Sequence, residues 1–102
     1  METFGQILKM KREAKGLYLR HVAAYLDIDQ AILSKIENGS RKPSRENINK
    51  LSEILEIDRE KLLIQYLSEK IAYEIADEDC ATIALQLAEQ KVKYIKELKK
   101  NI

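Results

Sequence analysis

An all-α fold, five helices followed by a C-terminal helical extension, is what this sequence predicts, and three observations carry the prediction. Leu, Ile, Ala and Val dominate an apolar fraction of 45%, with five Tyr, one Phe and no Trp beside them. One Pro and three Gly are the only strong helix breakers in 102 residues. The apolar positions recur at three- and four-residue steps, the period of helices that bury one face. A chain of this length supports one core and is too short for a second independent one.

Helix 1 is expected to begin after Met1 to Thr3, where Phe4, Ile7, Leu8 and the Lys11/Arg12 pair start to repeat at helical spacing, and to stop at Gly16. Helices 2 and 3 are expected over residues 19–26 and 30–38. Val22, Leu26, Ile28, Leu33 and Ile36 supply their inward positions, and Ala23 falls where the two helices approach most closely, so that a larger side chain would push them apart. Asp27 lies at the turn, where the left-handed conformation is better tolerated by Asp than by most residues, and Asp29 is placed to cap helix 3. Asn38-Gly39 ends helix 3, and the polar loop Ser40-Arg41-Lys42-Pro43 leads to Ser44, a cap for helix 4 over residues 45–55 with Ile48, Leu51, Ile54 and Leu55 inward. Asp58 is the expected cap of helix 5, in which Leu62, Leu63, Tyr66 and Leu67 face inward and the pattern continues through Ile71 toward Ile75. Within the acidic run Glu74 to Asp79 a break is expected, with Asp77 capping a last helix and Glu78 and Asp79 in its first turn. That helix, about 20 residues long, keeps Ile83, Ala84, Leu87, Ala88, Val92, Ile95 and Leu98 on one broad face and closes with Lys96, Lys99 and Lys100, favourable charges at a helix C-terminus.

The net charge of +1 hides an uneven distribution. Residues 1–45 hold nine Lys and Arg against five Asp and Glu, residues 46–79 hold four against ten, and residues 80–102 hold five against two. The basic excess therefore shares the first half of the chain with the paired helices 2 and 3. The single Cys80 excludes an internal disulfide, and the lack of an apolar leader or an 18-residue apolar run leads to the expectation of a cytoplasmic chain. His21 is the only His; no metal-ligand spacing, catalytic triad or phosphate-cradling Gly-rich loop is present, so neither an enzyme nor a cofactor is expected.

Two short helices meeting at a tight turn form a geometry that many proteins use to read DNA. The stretch from helix 1 to helix 5 resembles the Cro/repressor-type, or XRE-like, helix-turn-helix family, which includes phage repressors and the controllers of restriction-modification systems. The resemblance covers residues 4–68 and rests on Arg12, Gly16-Leu17, Val22-Ala23, Leu26, Ile28, the run Ser34-Lys35-Ile36-Glu37-Asn38-Gly39, and the trailing Arg41, Lys42 and Pro43. It implies a repressor-like DNA-binding domain over residues 1–68 and an extension over residues 69–102.

By that resemblance helix 3 enters the major groove, and Gln30, Ala31, Ser34 and Lys35 are its base-facing positions. A Gln amide can pair bidentately with adenine, Ala31 can touch only a thymine methyl, and Lys35 and Ser34 can serve either a base edge or a phosphate. Phosphate contacts are expected from Tyr18, Arg20, Asn38, Ser40, Arg41 and Lys42. Tyr18 and Leu19 depart from the family pattern, which often has a capping Ser or Thr followed by a polar residue there. Arg12 and Glu37 match a pair that forms an internal ion pair in this family, a structural role. The implied function is a sequence-specific transcription regulator, of repressor type, on double-stranded DNA. The apolar face of the last helix needs a cover, and a second copy of the chain is the expected one, with Leu87, Val92, Ile95 and Leu98 at the dimer contact. The alternative is an antitoxin-like module whose C-terminal helices hold a different protein. A membrane role is disfavoured because the basic residues of that helix gather at one end and neither Trp nor Phe anchors it.

Overall fold

The structure, a computed structural model, describes residues 1–101. Six helices and no strand are found among them: α1 (Phe4–Ala14), α2 (Leu19–Leu26), α3 (Gln30–Asn38), α4 (Arg45–Ile54), α5 (Arg59–Ile75) and α6 (Ala81–Lys100). The chain divides into two units, residues 1–69 and residues 70–102, with the division inside α5.

In the first unit the short helices are closed by one repeated device. Gly16, Asp27, Gly39 and Glu56 follow α1, α2, α3 and α4 with φ of 68°, 58°, 87° and 53°. In each case the next residue's N–H turns back to a carbonyl five positions earlier: Leu17 to Arg12, Ile28 to Ala23, Ser40 to Lys35 and Ile57 to Ser52, at 2.9–3.0 Å. This left-handed closure satisfies carbonyls that the helix end would otherwise leave open. Gly takes it without strain at positions 16 and 39; Asp27 and Glu56 carry a Cβ into the same region.

Helix starts are closed by side chains where the geometry allows. Thr3 Oγ1 accepts from Gln6 N while Gln6 Oε1 accepts from Thr3 N, a reciprocal capping box. Ser44 accepts from Asn47 N, and Asp58 from Lys61 N, both as the sequence leads one to expect. Asp29 does not: its backbone takes N-cap dihedrals, but its exposed carboxylate makes no capping bond. The N–H groups of Ile32 and Leu33 instead reach the Asp29 carbonyl at 3.0 and 3.2 Å.

Leu8, Val22, Leu26, Leu33, Ile36, Ile48, Leu51, Leu55 and Leu62 are buried together with Phe4 and Ala23. Ala23 is 3% exposed, in keeping with a close approach of α2 to its neighbours. Helix α5 contributes Leu62 and the half-buried Leu63 and Tyr66, the last edge-on to Phe4 with ring centroids 5.6 Å apart. Leu67, expected inward, is exposed, because one residue beyond Tyr66 turns the side chain about 100° around the helix. Glu69 Oε1 accepts the first N–H of α1, from Phe4, at 3.0 Å and ties the start of α1 to α5.

In the second unit α6 starts later than expected. Glu78 N bonds Ile75 O and Ala81 N bonds Glu78 O, two successive turns; the first α-helical bond runs from Ala84 N to Cys80 O at 2.9 Å. Cys80 is the N-cap, without a side-chain bond, so Asp77, Glu78 and Asp79 precede the first turn rather than occupy it. No residue of α6 is buried. No described helix is long and apolar enough to cross a membrane.

Candidate nucleic-acid interface

Helix α3 has two sides. Leu33, Ile36 and Glu37 are buried, whereas Gln30, Ala31, Ser34 and Lys35 are all exposed. Positions 30, 31, 34 and 35 recur at the spacing of one helical face, so the four side chains project together from the surface. The amide, hydroxyl and ammonium can pair with base edges or phosphate oxygens, and the methyl can meet only an apolar thymine methyl.

The loop that follows α3 is tightly held. Gly39 turns the chain, the N–H groups of Ser40 and Arg41 both reach Lys35 O, and Asn38 Oδ1 accepts from Ser40 N at 2.9 Å and Ser40 Oγ at 2.6 Å. Ser40 thus directs its backbone and its hydroxyl into the loop. The Asn38 amide N–H groups and the exposed Arg41 and Lys42 remain to face outward. Pro43 is buried and anchors the far end of the loop.

At the start of α2, Tyr18 is the N-cap residue in extended conformation and makes no side-chain capping bond. Its ring, 58% exposed, lies under the Arg20 guanidinium at 4.5 Å and beside His21 at 5.4 Å between centroids. Stacking restricts Arg20 while leaving its N–H groups free to donate. Leu19, in place of a polar residue, is half-buried against the core.

Behind α3 stands an ion pair. Arg12 Nε donates to Glu37 Oε2 at 2.8 Å and Arg12 Nη2 to Glu37 Oε1 at 3.1 Å, a two-pronged contact, while Arg12 Nη1 donates to the Leu17 carbonyl at 3.0 Å. The side chains are 10% and 6% exposed. Hydrogen bonding to Glu37 raises the Arg12 pKa above its usual range against the opposing effect of burial, so Arg12 stays charged at any accessible pH. No buried side-chain nitrogen or oxygen among the described residues lacks a partner. Elsewhere in the unit, the Tyr25 hydroxyl donates to Glu53 and its pKa is raised by that bond, and Lys15 holds the Glu56 carboxyl below the usual carboxylate range.

Sequence reasoning missed Gly5. A Cβ at this buried position in α1 would collide with the Glu37 carbonyl oxygen, and would lie 2.7 Å from both the Glu37 carbonyl carbon and the Ile36 oxygen. Backbone therefore meets backbone where α1 crosses the end of α3. The available signal was a glycine inside a helix, which costs about 1 kcal/mol relative to Ala and calls for a reason. Among the described residues, no group of three or more His, Cys, Asp or Glu could hold a metal ion.

Comparison with known proteins places this geometry. The helix-turn-helix family model matches residues 8–62. The chain is 41% identical over 64 residues to two Bacillus subtilis (strain 168) proteins, an uncharacterized HTH-type transcriptional regulator, RghRB, and the HTH-type transcriptional repressor RghR. The alignments cover 62% of this chain and 46% and 47% of those relatives, so the chain spans a little under half their length. No solved structure matches it significantly.

Proposed function

The chain belongs to the helix-turn-helix family, and from that premise we propose that it is a sequence-specific DNA-binding transcription regulator of repressor type. In this reading residues 1–68 bind DNA, α3 enters the major groove, and Gln30, Ala31, Ser34 and Lys35 read bases. Tyr18, Arg20, Asn38, Arg41 and Lys42 hold phosphates at its two edges, and Ser40, whose N–H and hydroxyl are bonded within the loop, shapes that edge instead. The carrying observation is the outward face of α3, four exposed polar or small residues backed by buried Leu33, Ile36 and Glu37 and flanked by the basic loop. The name of RghR, a transcriptional repressor, supports the repressor reading. The chain acts as a homodimer on a pseudo-palindromic operator, through residues 69–102, with Leu87, Val92, Ile95 and Leu98 in the contact.

The test is selection of DNA fragments by the purified protein, repeated with two variants. Gln30→Ala is expected to cost about 1–3 kcal/mol at one base pair and flatten preference there. Lys42→Ala is expected to weaken all sequences alike and lower the salt slope by about one unit. An unchanged base preference in the Gln30 variant removes that residue from readout; no enrichment by the intact protein defeats the whole reading. The exposed apolar side of α6 favours a second reading, an antitoxin-like module with a protein partner there. Co-purification of a single stoichiometric partner with a monomeric chain would select it.

A further inference from the structure

Helix α6 is 20 residues long and buries none of them: Leu87 and Val92 are 50% exposed, Leu98 48% and Ile95 47%. Helices in water draw most of their stability from packing an apolar face, so this one needs a partner surface. Two gradients specify that surface. The first is size. Along the middle of the apolar face Ala81, Ala84, Ala88, Val92 and Ile95 follow one another at three- and four-residue steps, small at the N-terminal half and larger at the C-terminal half, with Leu85, Leu87 and Leu98 on its flanks. The second is charge. The connector just before α6 carries Asp77, Glu78 and Asp79 with no base, residues 81–90 carry only Glu89, and residues 91–100 carry five Lys and one Glu.

Resting on the homodimer reading above, we infer that α6 pairs antiparallel with α6 of a second copy of the chain. In that arrangement Ala84 and Ala88 of one helix face Ile95 and Leu98 of the other, so that large side chains fill the space beside small ones. A parallel pair would set Ala against Ala, leaving a gap at one end, and crowd Ile and Leu at the other. The charges select the same orientation. Antiparallel helices bring the acidic connector of each copy toward the Lys96, Lys99 and Lys100 end of its partner, twice by symmetry, while parallel helices set lysine end against lysine end and connector against connector. Lysines at a helix C-terminus also suit the helix's own dipole. That accounts for the charge gradient alone and leaves the size gradient unexplained.

The single cysteine supplies the probe, since Cys80 is exposed and is the N-cap residue of α6. A methanethiosulfonate nitroxide attached to Cys80 of the full chain is expected to give an interspin distance of about 30 Å or more by dipolar electron paramagnetic resonance. The same label at the exposed edge of the apolar face near the helix centre, in Cys80→Ser with Lys91→Cys, is expected to give less than about 20 Å, because the two-fold axis passes close by and paired helix axes lie about 8–10 Å apart. A short Cys80 distance in a dimer overturns the antiparallel pairing and leaves the homodimer standing. Long distances at both positions show that α6 is not the seam and overturn the inference. A chain that sediments as a monomer and gives no dipolar signal defeats it together with the homodimer reading.

Discussion

Replacing Arg12 by Ala removes three hydrogen bonds at once and leaves Glu37 with its carboxylate 6% exposed. Hydrogen bonds to charged groups are worth about 1.5–3 kcal/mol each, but their sum overstates the loss because the free energy of desolvating Arg12 and Glu37 is recovered when the pair is broken. Removing one member of a buried pair typically costs about 3–5 kcal/mol, and the residual exposure of both side chains puts this pair at the lower end, about 3 kcal/mol. In a unit of this size each kcal/mol shifts the midpoint by about 4–8 °C, so Arg12→Ala should melt roughly 12–24 °C below the native chain. Glu37→Ala strands the guanidinium instead and should cost about as much. The decisive measurement is the double-mutant cycle in urea unfolding, where Arg12→Ala with Glu37→Ala should lose at least about 1 kcal/mol less than the singles added together. Additive singles, each below about 0.5 kcal/mol, would refute the argument and reduce the pair to the standing of a surface contact.

Gly5→Ala should destabilise by about 1–3 kcal/mol or more, since the new methyl meets the backbone of α3 rather than a side chain that can turn away; calorimetry that finds it neutral would mean the helices can separate freely. At Asp27, with φ of 58°, Gly should be equal to or more stable than Asp, and Ala less stable by about 1 kcal/mol, an order that denaturant midpoints check directly. The Glu56 carboxyl is held below its ordinary value by Lys15, so its contribution is present above the unfolded pKa and is lost as pH falls through the folded one. The stability gap between native chain and Lys15→Ala should therefore be constant above about pH 5, close below about pH 4, and shrink in high salt. A gap that widens on acidification would reverse the assigned sign.

What the sequence made legible was local. Ser44 and Asp58 cap because a short oxygen-bearing side chain lies three residues before an N–H that needs it. Asp27 takes the turn because few residues tolerate that backbone, and Gly16 and Gly39 punctuate for the same reason. Asp29 shows the limit: residue type admits a cap, but the side-chain torsion decides whether it forms. Asp77 failed differently, because two consecutive turns through Glu78 and Ala81 delay the helix, and neither leaves a distinct composition. Gly5 against Glu37 and Phe4 against Glu69 join residues far apart in the chain, and no periodicity carries such a pairing. For the interface, the family resemblance singled out four α3 positions, and the folded helix exposes them all on one face. The bonding that draws Ser40 into its own loop belongs to the folded backbone and left no mark in the sequence.

A helix that buries nothing of its own makes folding a second-order event. Under the pairing of α6, the winding of residues 81–100 and the meeting of two chains are one equilibrium, governed by protomer concentration. On that pairing, dilution would unwind this segment while Phe4, Leu8 and Leu33 keep the first unit folded around its own core. The unwound form is a lysine-rich peptide open to proteases that cut after basic residues. Scarcity would then be self-reinforcing, since solitary chains would be trimmed and trimmed chains would not pair. The abundance at which two chains find each other would then set the abundance at which either one persists.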